Sequence, residues 1–430
     1  MNDPNGMVLV HDTYHLFFQH DPGSIFHGPM HWGHATSTDL VHWSEQPVAL
    51  RPDALGTCFS GSAVQDQHGA VKLFYTAHRL DADGRDYQTQ CLVHADLSSG
   101  QFVRDPANPV LGNPGQEVFR DPKVIWHEGT SRWIMAITLG QSIGFYSSVD
   151  MVSWTFESAF GEGHGRHGDG VWECPDLICM PDPDGHPVWV LIVSVSLDAY
   201  GRGSGTQYFL GEFDGRHFVN ANAARTELWL DHGRDFYAAQ TFFGHGQAPP
   251  VVMAWASNWT YARHTPTTAF RGAMTLPRQL GLVRTTAGLR LAHSVPDPVR
   301  QAFSAAGPQS GVYHRRLDID LSLGRSVEIC LFGESEPHFL CVQGESGIVQ
   351  IETRRGFVEG MTEFEHTYTV PVPFIGTRLA LDLYVDRGLV ELIAADGLVS
   401  VTNLFFPNDV EGGLKVTGSA TVQYSCSEAG

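Results

Sequence analysis

Three carboxylates in this 430-residue chain stand in short motifs that are spread along its first half. Asp3 lies in the motif NDPNG, Asp121 in RDP and Glu173 in ECP. An Asp next to Asn or Pro is ordinary turn composition, so each motif alone indicates only a surface turn. Two carboxyl groups on either side of a glycosidic bond, in contrast, are what hydrolysis of that bond needs. The question is whether the chain brings the three together.

The motifs stand at a regular place, directly before an apolar strand that recurs five times. The apolar strands are YHLFFQ, VKLFYT, RWIMAI, VWVLIV and VVMAW, and they begin at residues 14, 71, 132, 188 and 251, between 56 and 63 residues apart. Periods of this size, with four short strands in each unit, are typical of propeller blades. The sequence therefore predicts an all-β protein with a five-bladed β-propeller. Two unrelated β-sandwiches are the alternative, which such regular spacing disfavours.

Two further segments complete the set of motifs. FSGS precedes the second apolar strand and DFYA precedes the fifth. On this alignment Asp3, Asp121 and Glu173 take equivalent places, and all five segments are expected on the innermost strands, facing one channel. Because unpaired buried charge is costly, a channel lined by carboxylates, arginine and aromatic rings indicates a binding site rather than packing.

Carboxylates and aromatic faces around a neutral pocket suit a sugar, since ring faces stack on aromatics and hydroxyl groups bond to Asp and Arg. Asp3 and Glu173 fit the pair of carboxyl groups that flank a scissile glycosidic bond, although the residues leave open which one attacks. Asp121 follows Arg120, whose cation is expected to lower the pKa of that carboxyl and keep it ionised. Such a group is better suited to accept hydrogen bonds than to donate a proton.

A second repeated segment, STDLVHW at 37–43 and SVDMVSW at 148–154, ends the third strand of its blade. We expect Trp43 and Trp154 to pack in the blade cores rather than to bind sugar, because they come late in their blades. We expect Asp39 and Asp150 to form turns rather than to catalyse.

The blade repeat ends near residue 293 and is followed by the segment SVPDPV. We therefore predict a propeller at 1–293, a linker at 294–300 and a second domain at 301–430. Strands with alternating apolar residues, such as LDIDL, VEICL, LALDLYV and VELI, predict a β-sandwich in this second part. Nothing there concentrates chemistry, so a supporting or sugar-contacting role is expected.

Composition excludes several classes of partner. The net charge is −20, with 47 acidic against 27 basic residues, so nucleic acid and anionic membranes are disfavoured as partners. Seven cysteines without a CxxC pair suggest neither a disulfide framework nor a zinc site. No signal peptide precedes the first motif and no run of 18 apolar residues occurs, which favours a cytoplasmic protein. Because the first motif begins at Met1, a missing leader and secretion are the alternative.

These motifs resemble, in order, those of glycoside hydrolase family 32, the invertase, inulinase and levanase family. The segments that carry the resemblance are NDPNG at 2–6, FQ at 18–19, WGH at 32–34, FSGS at 59–62, RDP at 120–122, ECP at 173–175, DFYA at 235–238, MTLPR at 274–278, VDR at 385–387 and VE at 390–391. Each is weak alone, but together they cover essentially the whole chain. Family members usually carry an aromatic residue before the Met of the first motif, where this chain has none.

The resemblance implies a retaining mechanism with Asp3 as the nucleophile, Glu173 as the general acid/base and Asp121 as the stabiliser of the transition state. It also implies a fructose subsite lined by Asn2, Gln19, Trp32, Phe59, Ser60 and Arg120. Asp231 falls where some members contact the leaving sugar, and Asp235, Tyr237 and Trp259 are expected at the rim.

The expected function is release of terminal non-reducing β-fructofuranosyl units, from sucrose first and short fructo-oligosaccharides next, by a monomer or homodimer without cofactor or metal. Fructosyl transfer to a sugar is the alternative within the enzyme class, and a non-catalytic fructan-binding propeller is the alternative outside it. A metal site at His27, His31 and His34 is disfavoured because no carboxylate cluster matches it. Cys174 as a nucleophile is disfavoured because no His/Asn pattern supports it.

Overall fold

The computed structural model describes residues 1–246, 248–305, 311–321, 325–332, 339–345, 348–373, 378–410 and 414–425. Helix in this part of the chain is limited to α1 (Asp297–Ala305) and one 3-10 turn (Ala262–His264). Neither is long and apolar enough to cross a membrane. Strands dominate the rest, which confirms the all-β prediction.

Five four-stranded antiparallel sheets follow one another along the chain, and in each sheet the strands are arranged in chain order. Blade one holds β1–β4, at Pro4–Val10, Thr13–His20, His31–Ser37 and Ser44–Leu50. Blade two holds β5–β8, at Thr57–Gln65, Val71–Leu80, Asp86–Asp96 and Gln101–Arg104. Blade three holds β9–β12, at Arg120–His127, Arg132–Thr138, Ile143–Ser148 and Thr155–Phe160. Blade four holds β13–β16, at Trp172–Pro181, Pro187–Val195, Gly205–Phe213 and Phe218–Asn220, and blade five holds β17–β20, at Tyr237–Thr241, Val251–Trp255, Arg278–Thr285 and Gly288–Ser294.

The first strands of the blades form a closed ring, as a propeller requires. β1 packs against β5, β5 against β9, β9 against β13, β13 against β17, and β17 against β1. The ring closes where Leu9 N–H donates to Phe243 O (2.8 Å) and Phe243 N–H donates to Met7 O (2.9 Å). The five-bladed propeller predicted from the repeat is confirmed.

The recurring apolar strands of the sequence are the second strands of the blades, β2, β6, β10, β14 and β18. They read as nearly continuous apolar runs because both of their faces are covered by neighbouring blades. One buried cluster joins blades one and two through Phe17 and Leu73, and another joins blades three and four through Ile134 and Leu191. Packing between blades thus accounts for the period seen in the sequence.

The innermost strands of blades two to five share one irregularity. In β5, β9, β13 and β17 two residues lie opposite one residue of the second strand, which is a β-bulge. Asp121, Cys174 and Ala238 lie inside these bulges with positive φ of 62°, 47° and 54°. A bulge changes the direction of the side chains around it, and here it lies at the segments singled out in the sequence.

The repeated turns of blades one and three have the same structure. Leu40 and Met151 adopt φ of 66° and 64°, and each N–H donates to the serine hydroxyl three residues earlier. Asp39 and Asp150 accept bonds from the following backbone amides, which confirms them as turn formers. The ring nitrogens of the two tryptophans donate to the carbonyls of Leu40 and Met151 at the turn.

Two five-stranded sheets form the second domain and confirm the sandwich. One sheet has the order β28-β27-β26-β21-β30 and the other β25-β24-β23-β22-β29. The strands β21–β30 lie at Val312–Asp320, Ser326–Leu331, Phe339–Glu345, Ile348–Arg355, His366–Val372, Arg378–Asp386, Leu389–Ala394, Val399–Leu404, Leu414–Gly418 and Thr421–Ser425. Inward residues such as Leu317, Val327 and Leu381 fill the space between the sheets.

The segment predicted as a linker, 294–300, contains the end of a strand and the beginning of a helix. The last propeller strand ends at Ser294, and residues 297–300 are the first turn of α1 rather than extended chain. Val299 and Phe303, one turn apart on α1, are buried against Leu16 of blade one and Tyr384 of the sandwich. The helix therefore packs against both domains.

Candidate active site

Asp3 is buried at the start of β1 among hydrogen-bond donors from three blades. Its Oδ2 accepts from the Ser60 hydroxyl at 2.6 Å and lies 3.5 Å from the Cys174 thiol, and its Oδ1 accepts from the Asn2 amide at 3.1 Å. Burial raises the pKa of Asp3 and the charge of Glu173 adds to the rise, whereas the bonds from Ser60 and Asn2 oppose it. The donors therefore favour the ionised form of a carboxyl that burial disfavours.

Asp121 lies within the bulge of β9, between the other two carboxylates. Its Oδ2 accepts from Cys174 N–H at 3.0 Å and lies 3.8 Å from the Arg120 Nε. Burial raises the pKa of Asp121 to about 7, and the charges of Glu173 and Asp3 add to this, although Arg120 lowers it. The expectation that Arg120 keeps this carboxyl below its usual range was wrong, because burial among two other carboxylates outweighs one cation.

Glu173 is held between two blades by an arginine and a tyrosine. Arg120 of blade three donates to Oε1 from Nη2 at 2.7 Å and from Nε at 3.2 Å. The Tyr237 hydroxyl of blade five donates to Oε2. The Glu173 side chain keeps 18% of its surface exposed, against 6% for Asp121. A carboxyl that is fixed at both oxygens and still reaches solvent can exchange a proton with a bound molecule.

The strand register corrects the equivalence of the three carboxylates by one residue. Arg120 pairs with Thr138, Glu173 with Ser194 and Tyr237 with Trp255, each directly before the bulge. Glu173 is therefore equivalent to Arg120 and Tyr237, and Cys174 is the residue equivalent to Asp121. The carboxylates do meet, but Asp121 lies inside the bulge of β9, whereas Glu173 lies directly before the bulge of β13.

Seven of the ten expected substrate contacts lie at or beside the carboxylates. Asn2, Ser60, Arg120 and Tyr237 donate to them directly. The other three are Gln19 and the half-buried rings of Phe59 and Trp259. The backbone N–H of Gln19 donates to Asp3 O (3.0 Å), while its buried side-chain amide donates to Cys58 O (3.0 Å).

His27 is a site residue that the sequence reasoning did not place here. It lines one pocket together with Asn2, Trp259 and Arg263. Its ring lies edge-on to Phe59 and Trp259, with centroids 6.1 and 6.0 Å away. The three rings form an aromatic arc beside the carboxylates, which is a surface that suits a sugar face.

Trp32 does not reach the pocket. It is fully buried, its ring nitrogen donates to Phe59 O at 2.9 Å, and its ring packs between Phe17 and Tyr75. The expectation of a substrate contact is corrected, because a side chain without exposed surface touches no ligand. Trp32 instead supports Phe59, whose carbonyl it holds.

Asp231 does not lie in the pocket either. It is fully buried where the propeller meets the sandwich, and its Oδ2 accepts from Arg278 Nη1 (2.7 Å) and the Thr402 hydroxyl (2.8 Å). Arg278 also donates to Glu391 of the sandwich. Burial alone would raise the pKa of Asp231, but Arg278 and the other donors hold it below the usual value. The leaving-sugar assignment is therefore corrected to an interdomain ion pair.

Asp235 is the second acidic residue used by the domain interface. Its side chain is fully buried, its Oδ2 accepts from Arg355 Nη1 at 2.7 Å, and its Oδ1 accepts from the Tyr261 hydroxyl at 2.5 Å. Leu404 N–H donates to Oδ2 as well. Every oxygen thus has a protein partner, so the expected rim contact is corrected to a structural role.

Cys174 and the three histidines, which the sequence analysis weighed as a nucleophile and as metal ligands, have the following surroundings. Burial among the three carboxylates raises the pKa of Cys174 well above its usual value, so the thiol is a poor nucleophile. His34 pairs with His15 at 3.0 Å, and His31 bonds Pro29 O, so they do not converge with His27. Among the described residues, the group with metal-like spacing is Asp182, Asp184 and His186, whose carboxylates pair with Arg284 on the surface.

Comparison with known proteins gives the family. The family profile described as "Glycosyl hydrolases family 32 N-terminal domain" matches residues 1–292, and "Glycosyl hydrolases family 32 C terminal" matches residues 343–427. A levanase of Bacillus subtilis is 37% identical over 97% of this chain and 66% of its own length. An extracellular exo-inulinase of Aspergillus niger is 33% identical over 98% of this chain and 90% of its own.

Solved structures agree in fold over nearly the whole chain. The exo-inulinase from Aspergillus awamori superposes with a TM-score of 0.89 at 28% identity, covering 99% of this chain and 96% of the other. A β-fructofuranosidase from Schwanniomyces occidentalis, complexed with fructosyl-erythritol, gives a TM-score of 0.83 at 27% identity over 97% and 92% of the two chains. With both of its domain profiles matched and its propeller motifs in place, the chain belongs to glycoside hydrolase family 32.

Proposed function

We propose that this protein is a retaining β-fructofuranosidase that releases terminal non-reducing β-fructofuranosyl units. The observation that carries the proposal is that two carboxyl groups of one site differ in burial and in hydrogen-bond partners. Asp3 is buried among hydrogen-bond donors that favour its ionised form, whereas Glu173 keeps part of its side chain exposed and is fixed by Arg120 and Tyr237. Levanase, exo-inulinase and invertase relatives support the fructosyl substrate.

In the first step, Asp3 attacks the anomeric C2 of the fructosyl unit. A bond forms between the carboxylate oxygen and C2 while the bond from C2 to the leaving sugar breaks, and Glu173 gives its proton to the leaving oxygen. In the second step, water attacks C2 as Glu173 takes a proton from it, and Asp3 leaves as a carboxylate. Two inversions at C2 give net retention, and Glu173 returns to its protonated form.

Asp121 is assigned to the fructosyl hydroxyl groups. It lies between the other two carboxylates and is fixed by Cys174 N–H, which leaves its remaining oxygen for the sugar. A carboxylate that accepts hydrogen bonds from the sugar strengthens them as positive charge develops on the ring, so it lowers the barrier. Asn2 and the aromatic arc of His27, Phe59 and Trp259 complete the pocket.

Sucrose and short fructo-oligosaccharides are the proposed substrates, and longer fructans are a second candidate. The second candidate is favoured by one observation, that the levanase and the exo-inulinase match 97% and 98% of this chain. Fructosyl transfer uses the same first step, with a sugar hydroxyl in place of water in the second.

The test follows glucose, free fructose and oligosaccharides over time, with sucrose, inulin and levan as separate substrates. Equal release of glucose and fructose from sucrose at low and high concentration is expected of the hydrolase. Glucose in large excess over fructose, with new trisaccharides, would instead establish a transferase. Absence of product from all three substrates would refute the enzymatic proposal.

Two variants test the roles. Asp3→Asn removes the attacking group, so kcat should fall by several orders of magnitude with the fold intact. Glu173→Gln should slow formation of the fructosyl-enzyme from sucrose far more than from β-D-fructofuranosyl fluoride, whose leaving group needs no proton. Near-normal turnover by Asp3→Asn, or equal losses on both substrates for Glu173→Gln, would contradict the assignment concerned.

A further inference from the structure

The strand that carries Glu173 holds a second carboxylate, which is buried and also contacts residues of blades three and five. Asp176 is on β13, three residues after Glu173, and its side chain is completely buried. Lys123 of blade three places its Nζ 2.9 Å from Asp176 Oδ1, an ion pair in which the lysine is 5% exposed. Thr241 of blade five donates to Oδ2 from its N–H (2.5 Å) and its hydroxyl (2.8 Å). Neither ion-pair member takes part in the mechanism above.

The two arrangements repeat each other, three residues apart on each strand. In the upper one, Arg120 of β9 and Tyr237 of β17 hold Glu173. In the lower one, Lys123 stands three residues after Arg120, and Gln240 three residues after Tyr237. Lys123 Nζ donates to Gln240 Oε1 (3.5 Å) and Thr241 O (3.3 Å), and so connects blade three directly to blade five.

The lower arrangement is also bonded to the backbone that carries the acid/base. The Gln240 amide donates to Cys174 O and Pro175 O, both at 3.1 Å. These two residues directly follow Glu173 and form the bulge of β13. A shift of Gln240 or Asp176 therefore moves the backbone from which the Glu173 side chain extends.

We propose that the buried Lys123–Asp176 pair, with Thr241 and Gln240, is a positioning device that sets the orientation of Glu173 between Arg120 and Tyr237. The inference rests on the proposed function, since it concerns the proton donor of that reaction. The device ties blades three, four and five, which carry the partners of Glu173. Asp3 has the donors Asn2 and Ser60 on blades one and two, and its third donor is the Cys174 thiol of blade four.

A buried ion pair is a weak way to gain stability, because removing two charges from water costs about as much as their attraction returns. The pair requires a well-defined geometry, however, because each buried charge must have its partner in close contact. A displacement of about 1 Å in a catalytic group costs up to about 100-fold in rate. The pair is therefore better explained by placement of Glu173 than by stability.

The test compares sucrose with β-D-fructofuranosyl fluoride, which needs no proton on its leaving group. Lys123→Met removes the cation, and Thr241→Val removes one bond to Asp176 while keeping the backbone N–H bond. Ser400→Ala is the matched control, because this buried hydroxyl donates to Leu230 O at the domain interface (3.0 Å) and bonds none of the residues that hold Glu173. Turnover, KM, the pH–rate profile and the melting temperature are measured for each variant.

Lys123→Met is expected to slow formation of the fructosyl-enzyme from sucrose, measured in a single turnover, by about 10-fold or more, with little change in its formation from the fluoride. Thr241→Val should change the ratio of these two rates in the same direction by less, and Ser400→Ala should leave the ratio unchanged. If Lys123→Met does not fold, Thr241→Val decides.

A loss that is equal on both substrates, or no loss on either, would overturn the inference while the proposed function stands. A change of the ratio in Ser400→Ala as large as that in the other two would overturn it as well. Wild-type protein that turns over neither substrate would refute the proposed function and the inference with it.

Discussion

Ser60→Ala provides a quantitative test of how a hydrogen bond in the site favours the ionised form of Asp3. The Ser60 hydroxyl donates to Asp3 Oδ2 at 2.6 Å, and both side chains are buried. This bond stabilises the carboxylate and not the protonated acid, so its loss raises the pKa of Asp3 further above its usual value. Asp3 reacts only when ionised, so the acidic limb of kcat/KM against pH must move to higher pH.

The size of the shift follows from the bond. A hydrogen bond to a charged group contributes about 1.5–3 kcal/mol, and one pKa unit corresponds to about 1.36 kcal/mol. The acidic limb should therefore move up by about one to two pH units, towards the lower value where water replaces the hydroxyl. Asn2 still donates to the other oxygen, so the variant remains active at higher pH.

The assay measures kcat/KM on sucrose in steps across the acidic range, since this ratio reports ionisation of the free enzyme. Ser62→Ala is the control, because this buried hydroxyl of the same strand donates to Pro122 O (2.8 Å) rather than to a carboxylate. The neighbouring Asp121 titrates in the same profile, so the shift between variants is compared rather than the absolute midpoint. An unmoved limb in Ser60→Ala, or an equal shift in Ser62→Ala, would refute the reasoning.

Three further predictions concern stability and the corrected residues. Arg278→Met leaves two carboxylates without their cation inside the domain interface. It should lower the free energy of unfolding, measured by urea titration, by about 3–5 kcal/mol. Arg284→Met removes a surface ion pair and should lower it by about 1 kcal/mol or less. Asp235→Asn should reduce the melting temperature and leave KM for sucrose unchanged; a raised KM at unchanged stability would restore it as a substrate contact. Burial lowers the pKa of His15 to about 4 and that of His34 to about 3, so the unfolded state binds more protons below pH ~6.5 and stability should fall from there towards pH ~4. His15→Gln should flatten this loss in urea titrations at several pH values, and an unchanged slope would count against the assignment.

Much of the propeller was predictable because its packing recurs. Each second strand is covered on both faces by adjacent blades, so its apolar run stands out at a steady period along the chain. The polar motifs stand at a constant distance before those runs. A repeat that places motifs at equivalent points of a closed ring brings them together, so Asp3, Asp121 and Glu173 were expected in one channel.

The domain interface was not predictable in the same way. Asp235 is the first residue of the DFYA motif and Asp231 stands four residues before it, and nothing local separates them from residues that face the pocket. Their partners Arg278 and Arg355 lie 47 and 120 residues further along the chain. Only the docking of the sandwich on the propeller shows that these carboxylates are already neutralised.

For a related reason, the sequence analysis placed Trp32 in the pocket and did not place His27 there. Trp32 stands in β3, where its ring is fully enclosed by blade packing, whereas His27 stands in the loop between β2 and β3. The loop has neither the repeat nor an alternating pattern, so its residues gave no sign of direction. A tryptophan in a motif is the more obvious sugar platform, but a large ring is also what a blade core buries most readily.

The one-residue error in the equivalence of Glu173 shows how this site is built. In a regular strand, residues three apart point to opposite faces, so Arg120 and Lys123 would not share the channel. The bulge in β9 inserts one residue between them, and the same insertion separates Glu173 from Asp176. Each inner strand can therefore present two polar side chains to the axis, one at the pocket and one beneath it.

The bulge explains why the alternating pattern of the strand sequences did not reveal Lys123 and Asp176 as residues near the site. It also explains why they lie close to the backbone of Glu173. Lys123 and Asp176 read as ordinary strand residues within apolar surroundings, on the face opposite to the motif residues. With the bulge, they lie on the same side of their strands as Arg120 and Glu173, and both are buried. A charge pair in that place is little screened by solvent and is tied to the backbone of the acid/base, so its effect should appear in proton transfer before it appears in folding.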